Sequence, residues 1–193
     1  MIAPTETQNK KDLVSVIGID QSLRATGLCI NNVTEGRLTG LVLEEKKLVG
    51  AARLSSLRRR IMDTVRAYMP ILIAVEGYSY DSTNRLAALG ELGGIIRVEL
   101  QDLQIPLIVV SPLTLKQFVT GSGAASKKKV IKFVKERYGY ETDNDNIADA
   151  VGLAKFAEIY ITRTSQYRSE LSVMKKFVTK KKPKKRYKKV FSL

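Results

Sequence analysis

The chain has 193 residues, 44% of them hydrophobic, which suits one domain with an ordinary core plus tails and would cramp a two-domain enzyme. It has no histidine and one cysteine, Cys29, which excludes Ser-His and Cys-His nucleophile pairs, imidazole bases, histidine zinc sites and an internal disulfide. The formal net charge of +14 draws the chain to polyanions, nucleic acid being the commonest and an anionic membrane surface the alternative.

Hydrolytic chemistry in such a chain must rest on carboxylates, metals, Lys or Tyr. Cys29 is expected to be a small buried apolar residue, in a reducing compartment. The N-terminus MIAPTETQNKKD is polar, without the apolar run of a signal peptide, and no segment approaches the roughly 20 apolar residues of a membrane span. A soluble, intracellular protein is expected.

Residues 1–12 read as a disordered leader. Leu13 to Ile19 (LVSVIGI) is apolar, β-branched and short, a buried strand that ends at Asp20. Strands follow near Thr26 to Asn31 and Arg37 to Glu44, separated by the turn-forming NNVTEG, so the chain opens as an antiparallel meander. Gly50 to Tyr68 sets Leu54, Leu57, Ile61, Val65 and Met69 at helical intervals, with Arg53, Arg58, Arg59, Arg60 and Arg66 as a basic surface and Pro70 as the stop. Ile71 to Val75 is another apolar strand, and it too ends in an acid, Glu76.

Asn84 to Leu103 reads as a long helix with small residues at Ala87, Ala88, Gly90, Gly93 and Gly94. The strand Leu107 to Val110 leads to Ser111-Pro112, a helix start. Thr120 to Ser126 is a flexible loop, KKKVIKFVKERY an amphipathic helix stopped by Gly139, and Asn144 to Thr162 a further helix. From about Gln166 the sequence is basic and of low complexity: ten Lys or Arg lie between Lys175 and Lys189, and no acid follows Glu170. The domain therefore spans 13–165, and 166–193 reads as a flexible basic tail that binds DNA or stays solvated.

Acids at strand ends are exposed at the rim of a sheet, where open α/β sheets bind ligands. In TDNDNIADA, Asp145 and Asp149 are four apart and Asn146 and Asp149 three apart, so on a helix they share one face. Crowded carboxylates repel unless a cation sits between them. The plainer account is that one of Asp143 to Asp145 caps the helix.

With these motifs in order, the chain resembles the RuvC-like Holliday junction resolvases of the RNase H-like superfamily over about Val14 to Ala157. IGIDQSLRATGLCI resembles that family's opening strand with catalytic Asp20, and LIAVEGYSY the strand ending in catalytic Glu76. VVSPLTLKQFVTGSGAASKKKVIKFV resembles the stretch whose lysines approach the junction backbone, at Lys116 and Lys127. DNIADAVGLA resembles the last helix, where two acids three apart complete the metal site. Asp149 matches the second, and Asn146 stands where relatives have Asp or His.

The resemblance implies an α/β, RNase H-like fold: a mixed five-stranded sheet, three antiparallel strands then two parallel, flanked by helices. It implies a metal-dependent endonuclease that cuts four-way junctions, or forks and flaps, leaving 5′ phosphate and 3′ hydroxyl ends. Two Mg²⁺ per site are expected, with Mn²⁺ able to substitute, held by Asp20, Glu76, Asp149 and a fourth ligand shared between Asp145 and Asn146. Lys116, Lys127 and Lys128 are expected on phosphates, and Tyr78 and Tyr80 against an unpaired base or in the core. A homodimer built on the helix from Asn84 is expected, without membrane or small-molecule partners. The compact, histidine-free form fits a bacteriophage member at work in a bacterial cytoplasm. Two other readings stay open: a non-catalytic junction-binding protein, for which Asn146 argues, and an actin-like or sugar-kinase-like ATPase, for which the chain is short.

Overall fold

A computed structural model describes residues 14–77 and 83–180. The strands are β1 (Ser15–Asp20), β2 (Ala25–Asn32), β3 (Arg37–Glu44), β4 (Leu72–Glu76) and β5 (Leu107–Val110). The helices are α1 (Gly50–Tyr68), α2 (Thr83–Asp102), α3 (Pro112–Thr120), α4 (Lys127–Tyr138), α5 (Asp145–Thr162) and α6 (Arg168–Lys180). The strands form one sheet in the order β3-β2-β1-β4-β5. β1, β2 and β3 pair antiparallel, whereas β4 is parallel to both β1 and β5. The mixed sheet expected from the sequence is present.

β1 explains the layering. It is buried along its whole length, and its side chains alternate between two cores. Ile17 and Ile19 pack with Leu57, Ile61 and Val65 of α1 and Leu92, Ile96 and Leu100 of α2, while Val16 packs with α3, α4, α5 and α6. Cys29 is fully buried, as expected, and burial pushes its thiol up to about 12. Two of the arginines expected to form a basic surface on α1, Arg58 and Arg66, stay 41% and 52% exposed and also pair with Glu99 of α2. Met69 is no core residue: it caps α1 with φ 42 and is 60% exposed, because Pro70 disfavours the helical region for the residue before it.

α5 is the central helix, buried from Ala148 to Ile159 on nearly every side. It lies against the backbone of β1, where a β-carbon on Gly18 would stand 2.1 Å from the Ala150 oxygen and 2.4 Å from the Ala154 nitrogen. Only glycine permits that approach.

The expected flexible tail from residue 166 is corrected in part, since Arg168–Lys180 is helix α6, docked on α3 and α5 through buried Val173 and Met174. Its apolar positions recur at helical spacing among the lysines, and that amphipathic face outweighs composition. The leader and residues 181–193 lie outside the described residues.

Candidate active site

Asp20 is the last residue of β1 and Glu76 the last of β4, and the parallel register that pairs Ile19 with Val75 brings the two acids side by side. Asp20 is 7% exposed and shares a side-chain hydrogen bond with Glu76. α5 closes the site from above. Its N-cap is Asn144, whose side chain accepts from the Ile147 amide at 3.1 Å, so Asp145 is not needed as a cap. Asn146 lies over the strand pair, its backbone oxygen 2.1 Å from where a β-carbon on Gly27 would be, and Gly27 is the β2 partner of Asp20. One turn on, Asp149 acts electrostatically on both Asp20 and Glu76.

The acids are too crowded and too buried to be fully ionised alone. Burial, then the charges of Glu76 and Asp149, pushes Asp20 well above the usual carboxylate range. Burial and Asp149 raise Glu76 to about 7, against the lowering effect of its hydrogen bond with Asp20 and of Lys116 and Lys127. Burial also raises Asp149 to about 6, while Lys127 pulls it down. Asp145 is the exception, since a hydrogen bond from the Lys127 ammonium holds it below the usual range and raises that lysine in turn.

Lys127 opens α4 directly after its N-cap, Ser126, with exposed Lys128 next to it. Lys127, Lys128 and Lys129 fill the first turn of α4, where the helix dipole disfavours cations. Lys116, half-buried on α3, acts on Glu76 and Asp149. Tyr78 and Tyr80 lie outside the described residues.

Sequence reasoning missed Gln21. It is 6% exposed, its Nε2 donates to the backbone oxygen of Glu76 at 3.1 Å, and its Oε1 has no hydrogen-bond partner among the described residues. A glutamine after a strand-end acid carries no pattern that would have singled it out. It ties the β1 end to the β4 end beyond their last ladder pair.

The donor set is all oxygen, which suits a hard divalent cation. The raised carboxylates and the orphaned Oε1 are a surplus of acceptors that such a cation with its waters would satisfy. Among the described residues, however, no three acids close on one point as a finished cage would. Their repulsion is relieved instead by the hydrogen bond between Asp20 and Glu76 and by the ammonium on Asp145.

Comparison with known proteins gives the family and the fold. The family model described as crossover junction endodeoxyribonuclease RuvC matches residues 16–156. A protein of that name from Synechococcus sp. (strain WH7803) is 26% identical over 145 residues, which cover 72% of this chain and 94% of the relative. The namesake from Desulforamulus reducens is 30% identical over 146 residues, covering 72% of this chain and 90% of the relative. The Thermus thermophilus RuvC structure superposes with a TM-score of 0.62 at 26% identity, over 73% of this chain and 91% of that one.

Proposed function

The chain belongs to the RuvC family of crossover junction endodeoxyribonucleases and is an enzyme that cleaves Holliday junctions, and we propose that it does so by metal-assisted hydrolysis at Asp20, Glu76 and Asp149. The observation that carries this reading is the meeting of two strand-end acids under a helix that brings a third.

Asp20, Glu76 and Asp149 would hold two Mg²⁺ ions, or Mn²⁺ in their place, with Asp145 and Asn146 sharing the role of a fourth ligand. When bound, such ions activate the attacking water and neutralise the leaving 3′ oxygen. The residues themselves position and exclude. Gln21 braces the Glu76 backbone, and its free Oε1 offers an acceptor at the edge of the site. The products are a 5′ phosphate and a 3′ hydroxyl.

Branched DNA is the partner. The first turn of α4 offers three lysines to a phosphate, which would relieve the unfavourable stacking of charge there. Lys116 and Lys127 flank the acids and would hold the scissile strand's backbone, with Lys128 further out. The base-stacking role proposed for Tyr78 and Tyr80 falls outside the described residues. A homodimer would present two sites to the twofold junction. In support, β-carbons on Gly90 and Gly94 of α2 would meet nothing within 4 Å among the described residues, and Val98 is 62% exposed. Among the described residues nothing packs on Gly90 or Gly94, whereas Gly93 is buried. Among the described residues, no helix is long and apolar enough to cross a membrane; the bacterial cytoplasm is the proposed place of action.

The test is cleavage of a synthetic four-way junction with Mg²⁺ and with EDTA, by the native chain and by Asp20→Asn. Cutting by the native chain in Mg²⁺ alone is expected, with junction binding but no cutting by the variant. Nicking retained in Asp20→Asn would sink the assignment of the site.

A further inference from the structure

The family match ends at residue 156, and α6 begins twelve residues later. This helix is fastened to the domain. Val173 and Met174 are buried, and the Phe177 ring meets Phe156 edge-on with centroids 4.9 Å apart. At its start Glu170 is 1% exposed, accepts from the Tyr138 hydroxyl at 2.7 Å, pairs with Ser165 and lies 3.6 Å from the Arg137 guanidinium. A carboxylate buried with that many partners fixes the rotation of the helix about its axis, because any other rotation strands it unpaired.

The contacts also fix its direction. Ser169 stands beside Gly121, just past the end of α3, whereas Val173, Lys176 and Phe177 share a small cavity with Leu113, Thr114 and Gln117. α6 thus runs antiparallel to α3 and finishes beside its first turn. That turn follows directly on Val110, the β5 residue paired with Glu76.

What α6 shows to solvent is cationic. Ser172, Lys175, Lys176 and Thr179 are exposed. The ion pairs among the described residues include neither lysine. From residue 166 on, the sequence has eleven Lys or Arg against one acid, Glu170, and that one is buried. Val173, Met174 and Phe177 pack on the core, whereas Leu171 and Val178, 39% and 37% exposed, lie among the lysines and polar residues of the outer face, whose charge suits phosphates.

We propose that α6 is a rigid mount for a second DNA-binding surface: its exposed face, with Lys175 and Lys176, holds a duplex arm of the substrate on the α3 side of the active site. The proposal rests on the reading of the chain as a junction endonuclease. It differs from a loose basic tail because a mounted surface meets DNA at a fixed remove from the branch point.

The experiment uses the full chain carrying Lys175→Glu with Lys176→Glu, and a second variant with both changed to Gln. Binding to four-way junctions with long and with short arms is followed against salt, beside single-turnover cleavage at saturating protein. The charge reversal should weaken binding to long-armed junctions about tenfold and flatten the salt slope by about two, with the Gln pair following in the same direction. Short-armed binding and the cleavage rate should not move. Unchanged affinity and slope on long arms overturn the proposal, as does an equal loss on both arm lengths, which would put the contact at the branch point. Loss of binding to anionic vesicles with duplex binding intact overturns it in favour of a membrane. A native chain that binds junctions and never cuts them would fail the nuclease reading and leave the arm-length comparison interpretable.

Discussion

The backbone oxygen of Asn146 occupies the space that a β-carbon on Gly27 would need, 2.1 Å from it. Gly27→Ala should therefore lift the first turn of α5 from β2 and move Asp149 away from Asp20. A loss of about 1–3 kcal/mol of stability is expected, with cleavage down about 100-fold, since displacements near 1 Å have that effect on positioned groups. Melting temperature and single-turnover rate measure the two. Full activity in Gly27→Ala would show that the helix seat does not set the site.

The acids make a prediction about pH in the absence of divalent metal. The folded chain keeps protons on Asp20, on Glu76 to about 7 and on Asp149 to about 6, whereas the unfolded chain has released them above about pH 4. The folded state thus binds more protons between those values, and stability must fall as pH rises through 6 and 7. In EDTA the melting temperature should decline from mildly acid to mildly alkaline buffer. Saturating Mg²⁺ should restore it at the alkaline end, and metal affinity should rise with pH. A flat profile in EDTA would mean that the three carboxyls are not strained.

Asn146→Asp puts a carboxylate where the chain has an uncharged amide next to Asp145. The Mg²⁺ concentration for half-maximal cleavage should fall about tenfold, because ligand charge tunes affinity. The metal-free protein should melt lower, since one more acid joins a crowded set. If the metal requirement did not change while Asp145→Ala raised it, Asp145 alone would be the fourth ligand.

Removing a phosphate contact should cost salt dependence before specificity. Lys116→Ala and Lys127→Ala should each flatten the slope of log affinity against log salt by about 0.9, with no change in preferred cleavage sequence. Lys127→Ala also strips Asp145 of its hydrogen-bonded ammonium, so the carboxyl should titrate at higher pH, a shift that NMR of that side chain would read. An unchanged slope in both variants would take these lysines off the DNA path.

The face of α2 with Gly90, Gly94 and exposed Val98 should be sensitive to charge. Val98→Asp is expected to leave the melting temperature near native and turn a dimer into a monomer by light scattering, with paired cuts across the junction becoming single nicks. A native chain that is monomeric both free and on DNA would dispose of this interface.

Much of this was readable in the chain because strands announce themselves when an apolar run stops at a charge. Asp20 and Glu76 end such runs, and the sheet places them together by register alone. Asp149 was legible from helical spacing. α6 was hidden because the basic run it leads into sets the composition of the whole tail, although Val173, Met174 and Phe177 recur at a helical interval. Gln21 was illegible, since its role arises only from the neighbouring strand's backbone. The closeness of α5 to Gly18 and Gly27 belongs to tertiary packing, which spacing along one element does not encode.

The parallel pairing of β1 with β4 gives the proposed catalytic pair a ruler. Adjacent strands lie about 4.8 Å apart in any sheet, whatever their side chains, so the interval between the Asp20 and Glu76 attachment points is set by peptide hydrogen bonds. The rest of both strands is free to drift in sequence without stretching that interval. Divergence can therefore erode most of a chain of this kind and still leave its two central acids correctly spaced.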